Sequence, residues 1–256
     1  MGNTRGSHGV SFLMDEDIYD ILADNYDIMQ DDIDPEVLAG MINDLISSHL
    51  RSKGEGQKVL VDLGCGSGSV TALMQEKYGY DCIGIDRSEK MLNAAMEKSG
   101  NVLWLLQDMT EYELMAPADV FISTTNTMDH LTDISLFEKI LKSFEMYLAE
   151  GGLFIFDIGT EDYFENTLGD NVFFEDYDDM TLLWTNEYDR ETKISTSELT
   201  LFYTRDGENY RRTDGTLYER FYSEKTIREL AERYGLEFVA GIVSSDGQRE
   251  FMVLRR

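Results

Sequence analysis

Proline is nearly missing from this 256-residue chain, occurring only at Pro35 and Pro117. There is no proline-rich linker, internal repeat or low-complexity stretch, so a second independent domain is not expected. Cysteine is equally scarce: Cys65 and Cys82 stand far apart, which leaves no disulfide framework and no paired-cysteine metal motif. The three histidines, His8, His49 and His130, are too dispersed for zinc spacing, so no metal is expected. Such sparse cysteine usage fits a reducing, cytoplasmic compartment. Basic residues are the next deficit, with 22 lysines and arginines against 50 aspartates and glutamates, a formal charge of −28. A surface of that sign repels phosphate backbones and anionic lipid, so neither nucleic acid nor membrane is expected as the main partner. No apolar run approaches bilayer-spanning length, and the opening MGNTRGSHGV has no apolar signal-peptide core.

What is present is an alternation. The chain is 42% hydrophobic, enough for one sizeable core, or a core with an appended subdomain. Apolar residues recur at helical spacing from Glu16 to about Leu50, with Asp34-Pro35 as a helix start. Strand signals follow at 58–63, 80–86, 101–108, 118–124 and 153–158. Helix signals alternate with them at 70–78, 88–98 and 134–150, the last expected to end at Gly151-Gly152. Apolar strands alternating with amphipathic helices predict an α/β fold with a mostly parallel sheet covered on both faces. After Thr160 aromatic and β-branched residues take over, with turn signals at Asp189–Thr192 and Asp206-Gly207, predicting inserted antiparallel hairpins. A helix at 223–235 and two strands, LEFVAGIV and EFMVLRR, finish the chain. The expected division is an N-terminal helical segment 1–57, a core of 58–160 and 223–256, and an inserted β subdomain 161–222.

The stretch VDLGCGSGSV, residues 61–70, joins the first strand to its helix. Glycine there removes the Cβ that would keep a ligand from the backbone. The pattern is Gly64-x-Gly66-x-Gly68, with Ser69 where a dinucleotide fingerprint has its third glycine. Asp62 sits at the loop's entry, where an acid suits a ligand carrying positive charge better than one carrying phosphates. S-adenosyl-L-methionine, with an ammonium, a sulfonium and no phosphate, is such a ligand. Asp86 follows 24 residues on, ending the second strand, and Asp108 ends the third. A carboxylate at Asp86 can accept from both ribose hydroxyls, and one at Asp108 from an adenine amino group. Coincidental turn chemistry is the competing reading.

In this order the loop, GIDRSEKML and LQDM resemble the successive motifs of class I S-adenosylmethionine-dependent methyltransferases. The resemblance implies a Rossmann-like sheet of seven strands whose last runs antiparallel. It places Gly64, Cys65 and Gly66 under the methionine part, Asp86 at the ribose, Met91 near adenine, and Asp108 and Met109 around the base. Asp62, Gly68, Arg87 and Thr124 belong to the same cofactor-binding segments. Tyr19 and Tyr26, on one helical face, are either half-buried packing residues of a lid helix or, as the resemblance implies, contacts to cofactor or acceptor, since family members close that segment over the site. STTNTMDHLTD, residues 123–133, is similar to a segment of glycine N-methyltransferase-like enzymes that faces both cofactor and acceptor, with Asn126, Thr127, His130 and Leu131 on matching positions. The insertion is similar to that of bacterial sugar-amine N-methyltransferases. By that likeness the catalytic candidates are His130 as base, Asn126, and Asp157 as the group orienting an amine.

His130 can equally be a packing residue, and Asp157 a loop cap. The family arginine that grips a carboxylate substrate would fall at Gly159, which counts against glycine as the acceptor. Asp129, Asp157, Glu161 and Asp162 around the expected mouth favour an amine. The expected activity is methyl transfer to a small molecule at nitrogen or oxygen by a monomer or homodimer. An RNA or protein methyltransferase and a non-catalytic S-adenosylmethionine-binding protein are the alternatives.

Overall fold

The computed structural model describes residues 34–53, 56–204 and 206–256. Tyr19 and Tyr26, and most of the expected lid segment, lie outside the described residues. The first described helix, α1 (Pro35–His49), starts where Asp34 Oδ1 accepts from the backbone N–H of Glu36 at 2.8 Å. It buries Leu38, Ile42 and Ile46. The chain then alternates through β1 (Val59–Leu63), α2 (Ser69–Glu76), β2 (Asp81–Asp86), α3 (Glu89–Lys98), β3 (Leu103–Leu106), β4 (Ala118–Ser123), α4 (Ile134–Tyr147) and β5 (Leu148–Gly159).

Four further strands follow: β6 (Val172–Tyr177), β7 (Met180–Asp189), β8 (Ile194–Thr204) and β9 (Tyr210–Arg220). The helix α5 (Glu224–Arg233), β10 (Glu237–Val243) and β11 (Arg249–Arg255) close the fold. Seven strands form one sheet in the order β10-β11-β5-β4-β1-β2-β3. β11 is antiparallel to both neighbours and the other pairings are parallel, as expected for EFMVLRR. β6 to β9 form a separate four-stranded antiparallel sheet in chain order, the expected insertion.

Central strands bury both faces, which is why they read as continuous apolar runs. Phe154 and Phe156 of β5 point to the α4 and α5 side, where they meet Phe137, Phe144 and Ile227. Leu153 and Ile155, the alternate residues, point to the opposite cluster with Ile42, Ile46 and Met74 of α1 and α2. The same split separates Met252 and Leu254 from Phe251 and Val253 on β11.

Two details depart from expectation. α4 ends at Tyr147, and Gly151 and Gly152 lie inside β5 instead of closing the helix. Gly151 adopts φ 75°, and a Cβ on it would come within 2.7 Å of the Arg51 carbonyl carbon. The glycines thus serve an irregularity where the β4–β5 register shifts between Ala118 and Val120. The insertion also opens with an unexpected π-helical turn, Tyr163–Leu168, whose Phe164 is fully buried against Tyr188 and Phe221. Among the described residues no helix is long and apolar enough to cross a membrane.

Glu250 of β11 faces Glu224 of α5 across Gly241, where a Cβ would lie 2.9 Å and 3.1 Å from the two carboxylates. Burial, and then the hydrogen bond with Glu224, push Glu250 up to about 7. A raised folded-state carboxyl stabilises the fold in its protonated form, and that contribution is lost as pH rises through about 7. The urea midpoint is therefore expected to fall between pH 5.5 and pH 8, and to fall less in Glu250→Gln. An equal fall in both proteins would show that the pair is not the titrating element.

Candidate active site

The glycine loop is built by the ends of two strands. Gly64 and Cys65 both donate their N–H to the Ile85 carbonyl at 2.8 and 3.0 Å, hooking the loop over the end of β2. Gly66 N–H then donates to Asp86 Oδ2 at 2.8 Å, and Ser88 N–H to Asp86 Oδ1 at 2.8 Å. Gly64, Gly66 and Gly68 have φ of 70°, 53° and 75°, the left-handed region that excludes most side chains. Their surroundings differ. Gly64 and Gly66 line a cavity. Gly68 turns its α-carbon to Trp104 and Ala95, which a Cβ would meet at 2.5 and 2.8 Å. Trp104 also fills the space over Gly84, at 2.3 Å from a Cβ there. The indole is a wedge behind the loop, and Gly68 is a packing residue. Lys98 Nζ secures the same turn by donating to Ser67 Oγ at 2.9 Å and Ser69 Oγ at 2.7 Å.

The cavity occupies about 1140 Å³ between the carboxyl edge of the main sheet and the inserted sheet. Asp86, Arg87, Met91, Asp108 and Met109 line one end, with the glycine loop. Thr125, Thr127, His130 and Thr132 line the middle, and β8 and β9 close the far end with Glu198, Thr200, Asp214 and Tyr218. Asp108, two residues beyond β3, accepts from Thr110 N–H and Oγ1 at 2.7 Å each.

Several expected site residues stand behind the cavity wall. Asp62 is buried and accepts from Thr71 Oγ1 at 2.5 Å, while its Oδ1 has no hydrogen-bond partner among the described residues. Burial, only partly opposed by that bond and reinforced by Asp86, pushes it up to about 7. Cys65 is absent from the cavity wall too; burial and the two nearby acids push its thiol up, which suits a small loop residue and not a nucleophile. Thr124 is buried beneath the turn that follows β4.

That turn contains Thr125 and Asn126, both with φ 60°, consecutive non-glycine residues in the left-handed region. Buried acids hold them there. Asp157 Oδ1 accepts from Asn126 N–H at 3.4 Å, and Asp129 Oδ2 accepts from Asn126 Nδ2 at 3.0 Å and Gly159 N–H at 2.7 Å. Asn126 and Asp157 therefore shape the wall that presents Thr125, Thr127 and His130 to the cavity and do not line it themselves. Burial drives Asp129 well above the carboxylate range, with Glu219 adding to the rise. It pushes Asp157 to about 6, against the pull of Arg249 at 3.8 Å.

None of the four acids expected at the mouth, Asp129, Asp157, Glu161 and Asp162, faces the cavity. The first two are fully buried, and Glu161 and Asp162 pair with Lys193 and Asn166. The acids on the wall are Asp86, Asp108, Glu198 and Asp214. A Cβ on Gly159 would strike the Tyr163 and Phe164 rings at 2.6 and 2.7 Å, so no arginine fits there.

Residues 38–240 match the family model described as a methyltransferase domain. The YqeM protein of Bacillus subtilis strain 168, provisionally named a methyltransferase, is 26% identical over 196 residues, 75% of this chain and 77% of its own. A crystal structure of an S-adenosylmethionine-dependent methyltransferase from Clostridium acetobutylicum superposes with a TM-score of 0.79 at 24% identity, over 93% of this chain and 99% of that one. The sugar N-methyltransferase KedS8 from Streptoalloteichus superposes at 0.72 with 17% identity, over 100% of this chain and 98% of its own. With the sheet order and the family match covering most of its length, this chain belongs to the class I S-adenosylmethionine-dependent methyltransferases.

Proposed function

We propose that this methyltransferase moves the methyl group of S-adenosylmethionine to a small polar acceptor, at an amine nitrogen in preference to a hydroxyl. The observation that carries this reading is the cavity. Ordinary small-molecule sites span roughly 300–1,000 Å³, so 1140 Å³ leaves room for an acceptor beside the nucleoside. The residues at one end suit the cofactor. Gly64 and Gly66 offer side-chain-free backbone, and Met91 an apolar surface for a base. The Asp86 carboxylate accepts the backbone N–H groups of Gly66 and Ser88 and lines the cavity, a placement that suits a carboxylate accepting from ribose hydroxyls. When bound there, the cofactor supplies a methyl carbon already activated by its sulfonium.

The chain's own residues then align the acceptor and remove its proton. His130 is the base in this reading. Its Nδ1 lies 3.3 Å from the Tyr218 carbonyl, which can only accept, so the proton resides on Nδ1 and the lone pair on Nε2. Four carboxylates on the wall against the guanidiniums of Arg87 and Arg212 favour a cationic amine over a phosphate-bearing acceptor. The bulk of hydroxyl side chains in the middle, Thr125, Thr127 and Thr132, suits an acceptor that is itself rich in hydroxyls, and KedS8 acts on a sugar nitrogen.

Transfer of tritiated methyl from S-adenosylmethionine into pools of amino sugars, simple amines and phenols tests the acceptor; label confined to the phenol pool would overturn nitrogen as the acceptor atom. Two substitutions test the cofactor end by calorimetry with S-adenosylhomocysteine. Asp86→Ala is expected to weaken binding about tenfold or more, because it removes charge-assisted bonds to the ligand and releases the loop. Gly64→Ala would put a Cβ 2.3 Å from Thr127 Cγ2 at a φ of 70°, a cost on the order of 1–3 kcal/mol. It is expected to lose binding together with thermal stability. Wild-type affinity in both variants would sink the assignment.

A further inference from the structure

Methyl transfer as described uses the cavity from the glycine loop to His130, and gives the far wall, made by β8 and β9, no role beyond its charge. That wall is tied to the rest of the site. The Tyr218 carbonyl accepts from His130 Nδ1 at 3.3 Å, Arg220 Nη1 donates to the Thr132 carbonyl at 2.8 Å, and Tyr222 Oη donates to the Leu131 carbonyl. β9 is thereby fastened to the 3-10 turn Thr127–His130 and to the two residues after it. Side chains alternate along a strand, so Arg212, Asp214, Thr216 and Tyr218 share one face of β9, and all four line the cavity. The register sets Thr200 of β8 opposite Asp214, and Phe202 opposite Arg212.

These cross-strand partners hold a guanidinium and a carboxylate side by side. Arg212 Nε donates to Asp214 Oδ1 and Oδ2 at 3.0 and 3.1 Å, and Nη2 donates to Oδ1 at 2.8 Å. Thr200 Oγ1 donates to the same Oδ1 at 2.8 Å, and Arg212 Cζ lies over the Phe202 ring, 5.8 Å from its centroid. The hydrogen bonds from Arg212 and Thr200 hold the Asp214 carboxyl below its usual range. An exposed ion pair contributes little to stability, so the fold alone does not call for one on a cavity wall. A lone guanidinium would select a phosphate or carboxylate; here Asp214 takes its Nε edge and opposes its charge. Among the described residues Nη1 makes no hydrogen bond. The wall thus presents N–H donors beside a carboxylate. A guanidinium only donates and a carboxylate only accepts, whereas a hydroxyl does both. Two neighbouring hydroxyls match the pair, one accepting from Arg212 and the other donating to Asp214.

We propose that Arg212 and Asp214 determine acceptor specificity by receiving two adjacent hydroxyls of a polyhydroxylated amine whose nitrogen lies at His130. This rests on the amine reading above. Asp214 stands four residues from Tyr218, about 13 Å along the strand. An acceptor that meets both ends is therefore an extended polyol such as an amino sugar, and a simple amine cannot reach. Because β9 is fastened at Tyr218 to the turn that carries His130, the hydroxyl contacts and the nitrogen are held at a fixed separation. Binding of the hydroxyls then places the nitrogen for transfer.

Methyl glucosaminide, which carries adjacent hydroxyls, and cyclohexylamine, which carries none, are the probes. Tritiated-methyl transfer gives kcat/KM for each, and the wild type is expected to prefer the glycoside. In Arg212→Met, which keeps an aliphatic stem over Phe202, that preference is expected to fall about tenfold, chiefly through the KM of the glycoside. Asp214→Asn should lower it likewise. Arg212→Lys should not restore it, since an ammonium lacks the planar fork. Equal affinity for S-adenosylhomocysteine across the variants, by calorimetry, shows that the change arises at the acceptor end. A wild type without preference for the glycoside, or a preference that survives both substitutions, overturns the proposal alone. Transfer to neither amine by protein that binds S-adenosylhomocysteine overturns the amine reading, and the proposal with it.

Discussion

The Asp86 carboxylate is the joint on which the cofactor end of the site depends. One oxygen takes the Gly66 N–H from the first strand–helix turn, and the other takes the Ser88 N–H from the second. Two loops with no covalent link near the site are thereby fixed relative to each other before any ligand arrives, and α3 begins from the Ser88 cap. Preorganisation of this kind spares the binding step the entropy of ordering a glycine-rich loop. The Trp104 wedge completes the restraint from behind. It fills the volume that Gly68 and Gly84 leave, so the glycines make room for an indole on one side and for a ligand on the other.

The acceptor end is held differently, by carboxyl groups taken out of water. Asp129 and Asp157 supply acceptors for backbone and amide donors around two strained residues, Thr125 and Asn126. Burying acids is costly unless they are bonded or protonated. Here partial bonding and raised proton affinity act together. The reward is a turn whose neighbours, Thr127 and His130, meet the cavity at fixed positions. A tight turn made by glycine would be cheaper and looser.

Much of this architecture is legible in the sequence because it is local. β1, β2, β4 and β5 are apolar runs bounded by glycine or polar residues, and Asp86, the last residue of β2, stands where an α/β sheet gathers ligands. Gly151-Gly152 misleads because a helix stop and a strand irregularity demand the same left-handed freedom. The mouth acids mislead for another reason. Asp157 is near the carboxyl end of β5, yet chain position does not say whether a side chain at a strand end turns outward or down into the turn below. The fastening of β9 to the turn after β4 carries no local signal at all, because His130 meets Tyr218, and Thr132 meets Arg220, across 88 residues of chain.

The excess of acid takes on a different meaning once burial is known. A formal charge of −28 counts every carboxyl as ionised. Asp62 and Glu250 are pushed to about 7, Asp157 to about 6, and Asp129 and Glu219 also upward. Each of these shifts has burial as its largest cause, so the folded chain holds protons on these carboxyls to higher pH than the unfolded chain does. The folded molecule is therefore less negative than its composition, and its self-repulsion smaller. Three of the carboxyls pushed upward, Asp62, Asp129 and Asp157, lie behind the cavity, while Asp214, held low by its hydrogen bonds from Arg212 and Thr200, stands on its wall. Acids whose ionisation is disfavoured by burial thus lie behind acids that face the cavity, which lessens the repulsion that two fully ionised layers would impose on the strand ends.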